Sequence, residues 1–173
     1  MNPLPETHLP PGTAAERVTA LYEAHAAGLV RLAMLMLADQ SLAEDVVQDA
    51  FLGLYRRWPA LRDSDRAIAY VRSSVLNGSR DALRRRSRKI PAALLEPNAA
   101  SADAGVLLAE EHREVLAALR RLPDRQREAV VLRHCLGLPE DEVAQTMSVS
   151  RGTVKSASHR GLAALARILK EDQ

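Results

Sequence analysis

From Val18 onward, apolar positions recur at steps of three and four: Val18, Leu21, Tyr22, His25, Leu29, Leu32 and Met36. That spacing predicts a core helix. A second stripe, Val46, Val47, Ala50, Phe51, Leu54, Tyr55 and Trp58, lies behind Ser41 and Glu44, whose S-x-x-E spacing predicts a capping box. Pro59 is expected to stop this helix near Trp58. A third helix is predicted from about Ser64 to Ser87, with capping candidates at Asp63, Ser64 and Asp65 and a stripe of Ile68, Val71, Val75, Leu76 and Leu83. Within it, Asn77 and Gly78 are poor helix formers, the glycine costing up to about 1 kcal/mol against alanine. They predict a bend or close approach, or else a break between two helices.

Between Ile90 and about Ala109 the periodicity gives way to Pro91, Pro97 and an Ala/Ser/Asp-rich tract, the composition of a linker. It resumes with Val115, Leu116, Leu119 and Leu122. Asp124 can cap the next helix, in which Ala129, Val130, Leu132 and Leu136 precede Gly137, a natural stop. Cys135 falls in this segment and is expected to be buried. The fold class read from these stripes is all-α: two small helical domains, 16–87 and 110–170, joined by a flexible linker, 88–109. Residues 1–15, with four prolines, are expected to be disordered or loosely attached.

The stretch "EDEVAQTMSVSRGTVKSASHRGL", residues 140–162, changes the picture from fold to function. Pro139 suits a first helical turn, Val143 and Ala144 face inward, Met147 closes the helix, and Ser150 caps another that Val154, Leu162 and Leu165 hold on the core. Arg151, Thr153, Lys155, Ser156, His159 and Arg160 are left outward. This is a helix-turn-helix pattern. A helix entering the major groove needs short donors near its start and cations further along for phosphates.

Charge sharpens this reading. The net charge of +2 would not by itself recruit nucleic acid, yet Arg80, Arg84, Arg85, Arg86, Arg88 and Lys89 stand together against one acid, Asp81. That is a polyanion-binding footprint. On the second helix, Glu44, Asp45, Gln48 and Asp49 come first and Arg56 and Arg57 last, an order that suits the macrodipole as well as a docking face. All five aromatic residues lie at or before Tyr70, so any base stacking belongs to the N-terminal domain, where Tyr70 is the one outside core spacing.

Other function classes fall away. His8, His25, His112, His134 and His159 are scattered, no pair has metal-ligand spacing, and no phosphate loop or nucleophile motif occurs. No enzyme, metal or cofactor is expected. The longest uninterrupted apolar run, Leu32 to Ala38, falls far short of the roughly 20 residues of a membrane span, so no membrane insertion is expected. The start "MNPLPETHLPPG" lacks the features of a signal peptide and Cys135 is alone, which together predict a cytoplasmic protein.

Three ordered blocks, "AEDVVQDAFLGLYRRW", "AYVRSSVLNGSRDALRRR" and "LRRLPDRQREAVVLRHCLGLPEDEVAQTMSVSRGTVKSASHRGL", resemble bacterial RNA polymerase sigma factors of the extracytoplasmic-function group, with an ending of actinobacterial type. The resemblance covers about residues 16–170. It implies that sigma domain two docks on the clamp helices of the largest polymerase subunit, through Asp45, Gln48, Asp49 and Arg56. It implies that Tyr70, Arg72, Asn77, Ser79, Arg80, Arg84 and Arg85 meet the minus-ten element as single-stranded DNA, with Asn77 at a pocket for an extruded base. Sigma domain four would bind the flap of the second-largest subunit and read the minus-35 element with Arg151, Thr153, Lys155, Ser156, His159 and Arg160. Promoter DNA, core polymerase and an anti-sigma factor wrapping both domains are the partners the family admits.

Three departures stand out. Where the family usually has glycine in the turn, this chain has Ser148, which is expected to enter the left-handed region at about 1–2 kcal/mol. Pro139 stands where a serine or threonine cap is common. Ala157 stands where an arginine is common, which predicts fewer phosphate contacts. The main competing reading is a dimeric helix-turn-helix regulator of duplex DNA, against which the arginine-rich helix far from the reading helix argues.

Overall fold

The computed structural model describes residues 12–61, 64–89 and 110–171. The expectations for residues 1–11, and for the linker over 90–109, lie outside these. Among the described residues there is no strand.

Helix α1 (Ala14–Leu37) starts at a capping box that sequence reading missed. Glu16 N donates to Thr13 Oγ1 at 3.3 Å, and Thr13 N donates to Glu16 Oε2 at 2.8 Å. It ends at Ala38, which takes the left-handed conformation with φ 51°. That turn sets Asp39 ahead of α2 (Gln40–Leu61), and Asp39 Oδ1 accepts from Leu42 N at 3.0 Å. The cap is therefore Asp39, and the predicted Ser41 box does not form. Glu44 instead accepts from Gln40 Nε2 at 2.9 Å, one turn along the same face. Pro59 does not stop α2 either. It lies in the last turn, where its missing N–H removes one helical bond of a segment about to end.

Helix α3 (Ser64–Lys89) runs unbroken through Asn77 and Gly78. A Cβ at Gly78 would lie 2.9 Å from Val46 Cγ1, so the glycine permits α2 and α3 to close on each other. Helices α1, α2 and α3 pack mutually around Leu32, Leu54, Val71, Val75 and Leu76, all buried. Among the described residues α1 alone is long and apolar enough, by length and composition, to cross a bilayer. Here Leu21, Leu29, Leu32, Ala33, Met36 and Leu37 bury its apolar face inside the protein.

The second domain comprises α4 (Glu110–Arg120), α5 (Asp124–Val130), α6 (Glu140–Met147) and α7 (Arg151–Glu171). Pro123, not Asp124, occupies the cap position of α5, and Asp124 sits in its first turn. The helix continues as a π turn over Val131–Cys135. No pattern in the sequence marks this wider turn. It leaves Cys135 exposed, correcting the expected burial, because one extra residue per turn carries the position off the inner face. Gly137 follows at φ 67° as the stop.

Pro139 precedes α6 without a side-chain cap, and Ser148 closes α6 at φ 55°, in the left-handed region as predicted. Ser150 Oγ accepts from Thr153 N at 3.2 Å and starts α7. Helix α7 packs on α4, α5 and α6 around Leu119, Leu132, Met147 and Val154. Leu162 is 40% exposed and does not join that core, contrary to the stripe drawn from the sequence. The domains also touch each other, α3 lying against α6 and α1 against α4.

Candidate nucleic-acid interface

Helix α7 divides cleanly. Val154, Ala157, Ser158, Gly161 and Ile168 are buried, while Arg151, Thr153, Lys155, Ser156, His159 and Arg160 are all exposed. The six residues expected to read duplex DNA thus lie on the outer face of the second helix of the helix-turn-helix. Ser150 Oγ and Thr153 Oγ1 are 2.9 Å apart, and Arg151 Nε lies 3.5 Å from Glu140 Oε1. Arg160 Nε donates to Ser156 O at 3.3 Å. Ala157 is only 4% exposed. An arginine there would point into the domain, so the expectation of a lost phosphate contact at 157 is overturned. His134 Nε2 meets the buried Ser158 hydroxyl at 2.9 Å and fastens this inner face.

The acidic and basic segments of the first domain meet around one cleft. Between α2 and α3 lies a cavity of about 510 Å³, lined by Asp45 and Asp49 from α2 and by Tyr70, Asn77, Asp81 and Arg85 from α3, over a floor that includes Val46 and Ala50. Sequence reasoning assigned Asp45 and Asp49 to one partner and Tyr70, Asn77 and Arg85 to another; here they share a rim. Gln48 and Arg56 are exposed on α2. Tyr70 is half-buried, with the Arg57 guanidinium carbon 5.8 Å from its ring centroid, so one face of the ring is covered by a cation. Asn77 is exposed beside the cleft, and Arg84 pairs with Asp81 one turn away.

Ser79 is the clear correction. It is fully buried and its hydroxyl has no partner among the described residues, because it faces inward three residues after Leu76 on the core side of α3. It offers nothing to a strand outside.

Two other residues expected at DNA, Arg72 and Arg80, face the second domain. Arg80 grips Glu128 with both Nε and Nη2, each at 2.6 Å, and its Nη1 donates to Asn77 Oδ1 at 2.9 Å. Glu128 is 1% exposed, and Arg125 Nη1 lies 3.7 Å from it. Arg72 Nη1 donates to Glu142 Oε2 at 2.5 Å. The hydrogen bond to Glu128 holds Arg80 still more firmly protonated than usual. Burial lowers Arg127, against the pull of Asp124 and Glu128; its Nη1 donates to Met36 O at 3.2 Å, at the end of α1. Glu128, Glu142 and Arg127 escaped sequence reasoning. Their signal, isolated charges on short helices, differs in no local way from that of solvated residues.

Among the described residues two further titratable groups are shifted. His25 is lowered by burial and then by the nearby Arg72 charge; Cys135 is raised by partial desolvation of its thiol, although the residue as a whole is exposed, with Arg31 acting the other way. Among the described residues no three His, Cys, Asp or Glu side chains converge as a metal site.

Known proteins resemble both halves. Residues 21–89 match the family described as sigma-70 region 2, and residues 112–165 match sigma-70, region 4. The RNA polymerase sigma-E factor of Streptomyces avermitilis is 34% identical over 79% of this chain and 76% of its own length. The ECF RNA polymerase sigma factor SigM of Mycobacterium tuberculosis is 36% identical over 86% of this chain and 75% of its own. In fold, the chain is similar to the sigma factor RpoE of Bartonella quintana, solved with the anti-sigma factor NepR, at a TM-score of 0.70 and 21% identity, covering 90% of this chain and 98% of that one. It is similar too to CnrH, solved with the cytosolic domain of CnrY, at a TM-score of 0.71 and 24% identity over 94% and 92% of the two chains.

Proposed function

Because this chain belongs to the extracytoplasmic-function sigma factors of the sigma-70 family, we propose that it docks on core RNA polymerase in the cytoplasm, reads a minus-35 element with α7 and captures the minus-ten element with α3. The observation that carries this reading is the outward row Arg151, Thr153, Lys155, Ser156, His159 and Arg160 on a helix whose other side is locked to its domain. Thr153 and Ser156 supply short donors suited to base edges, and Arg151, Lys155 and Arg160, spread along the row, supply cations suited to phosphates.

For the first domain, the cleft supplies a wall of mixed character. Asn77 can donate to and accept from a base edge, and Arg84 and Arg85 supply cations for the backbone outside it. Asp45 and Asp49 would repel a phosphate on the same rim and favour an arginine-bearing surface, which agrees with docking of α2 and Gln48 on the clamp helices. Arg56, at the far end of α2, belongs to that docking face. Ser79 is left out of the DNA set for its burial. Domain four would meet the polymerase flap, and an anti-sigma factor would be a further partner, as RpoE and CnrH were each solved with one. The chain performs no catalysis in this scheme; it positions the promoter for the polymerase.

Run-off transcription on fragmented genomic DNA, with bacterial core polymerase and with or without this protein, tests the reading. Transcript starts that need the protein and share two spaced upstream elements are the expected result. Arg151→Ala with Lys155→Ala should remove protection over the upstream element alone. Failure to bind core, together with tight binding to symmetric duplex half-sites, would overturn the proposal in favour of a dimeric regulator.

A further inference from the structure

Helix α2 turns a long strip outward that its own domain does not cover. Asp45, Gln48, Asp49, Leu52, Tyr55 and Arg56 are all exposed, and at 3.6 residues per turn they fall within about 120° of arc. Among the described residues Asp45, Asp49 and Arg56 make no ion pair. The macrodipole accounts for acids first and a base last. It does not account for Leu52 at 54% and Tyr55 at 51% exposure between them. Tyr22 of α1, itself 41% exposed, packs edge-on against Phe51 at 5.0 Å between ring centroids and carries the apolar exposure onto the neighbouring helix.

The order of residues along the strip is self-complementary. Gln48 and Arg56 each lie four positions from Leu52, and Asp49 and Tyr55 each three. A second α2 laid antiparallel about a two-fold axis at Leu52 sets leucine on leucine and puts the Tyr55 hydroxyl opposite the Asp49 carboxylate. The same placement brings Arg56 over Gln48, between Asp45 and Asp49 of the other copy. Each contact then occurs twice, as an isologous interface requires. A partner of another kind needs only one sign of charge on this strip, whereas a two-fold pair needs both, separated by an apolar centre. The net charge of +2 leaves little overall repulsion between copies.

We propose that two copies of the free chain pair through α2, antiparallel about Leu52, and so cover the face assigned to polymerase docking. The pairing stands on α2 alone; only its competition with core polymerase rests on the sigma-factor reading. One helix face against another buries less than about 1,200 Å² in total, the class of weak and transient contacts. The pair therefore forms where the chain is abundant and core is scarce.

Sedimentation equilibrium on the full chain, from low micromolar to near-millimolar concentration, should show the average mass climbing from 18.9 kDa towards twice that value. High salt should move the rise to higher concentration. Arg56→Glu makes the charges of the strip all acidic, and Asp45→Arg with Asp49→Arg makes them all basic. Each variant alone should stay monomeric, and an equal mixture of the two should pair more tightly than the wild type, which misfolded protein would not do. In a Cys135→Ser background, Leu52→Cys should be linked by a disulfide between copies on mild air oxidation, and Leu162→Cys, at an exposed leucine of α7, should not. A wild-type chain monomeric throughout would overturn the proposal, as would pairing that persists in either charge-reversed variant alone, a mixture that stays monomeric, or equal cross-linking in both cysteine variants. Core polymerase should bind the Leu52→Cys chain after reduction and not while it is linked. A linked dimer that still binds core would count against the docking role of α2 and leave the pairing standing.

Discussion

Asn77 shows how one residue can carry a step of the mechanism. It stands exposed on α3 at the edge of the cleft, with its amide oxygen turned to Arg80. Holding a base outside the stack must offset a few kcal/mol of lost stacking and pairing, and an amide can offer both a donor and an acceptor to a base edge. Asn77→Ala is therefore expected to leave polymerase binding intact and to impair opening of duplex promoters by about ten- to a hundredfold, the range of one or two good hydrogen bonds. Transcription from a template premelted over the minus-ten region should recover much of that loss. Equal loss on duplex and premelted templates would show that Asn77 acts at some other step. Ser79, two residues on, makes a useful contrast, since its burial predicts that a change there disturbs packing before it disturbs any promoter step.

At the scale of elements, packing distances decide the sign of a substitution. Gly28 lies within α1 with no described atom within 4 Å of the place of a Cβ, so Gly28→Ala should stabilise by about 1 kcal/mol through helix propensity alone. Gly161 lies within α7, where a Cβ would stand 2.7 Å from Val130 Cγ2 and 3.0 Å from the Gln126 carbonyl oxygen of α5. The same propensity gain there meets an overpacking cost of about 1–3 kcal/mol, and the backbone oxygen has little room to retreat. Thermal melts should move up for Gly28→Ala and down for Gly161→Ala; a rise in both would mean that α5 and α7 do not approach this closely. Much at this scale was legible in the sequence. The stripes through Leu32, Leu54, Val75 and Val154 determined which faces turn inward; Gly137 marked its turn because glycine accepts positive φ freely, whereas the left-handed Ser148 was readable only through the resemblance to a family that usually has glycine there. Boundaries were less legible where two residues compete for one role, as Asp39 and Ser41 did for the cap of α2. The π turn left no mark, since its apolar residues fit an ordinary helix as well. The helix-turn-helix row on α7 was readable because inward and outward positions differ in chemistry, whereas the cleft needed the register between α2 and α3, which no local pattern contains.

On the scale of the whole molecule, α1 and the second domain share one cation. Helix α1 has no basic residue in its last turn, and Arg127 of α5 reaches across to donate to Met36 O there, at the negative end of the helix dipole. The same guanidinium contacts Leu122 O at 3.5 Å and Asp124 Oδ1 at 2.5 Å, while its Nε is buried without a partner among the described residues. Desolvation opposes the charge, so much of what these bonds contribute goes to offset the cost of enclosing it. Arg127→Met keeps most of the stem packing and removes the charge with its penalty, so the second domain by itself should lose little. The variant loses the bonds to Leu122 O and Asp124, whose loss is offset by the relieved desolvation, and with them the bond to α1. Scanning calorimetry should therefore show one transition for the wild-type chain, and two partly resolved transitions for Arg127→Met as the domains melt independently. Arg127→Ala should cost about 2–4 kcal/mol more broadly, because it also removes the stem from the core. A single transition of unchanged midpoint in Arg127→Met would show that the domains are coupled without this bond, through contacts such as the pairs that α3 makes with α5 and α6, Arg80 with Glu128 and Arg72 with Glu142.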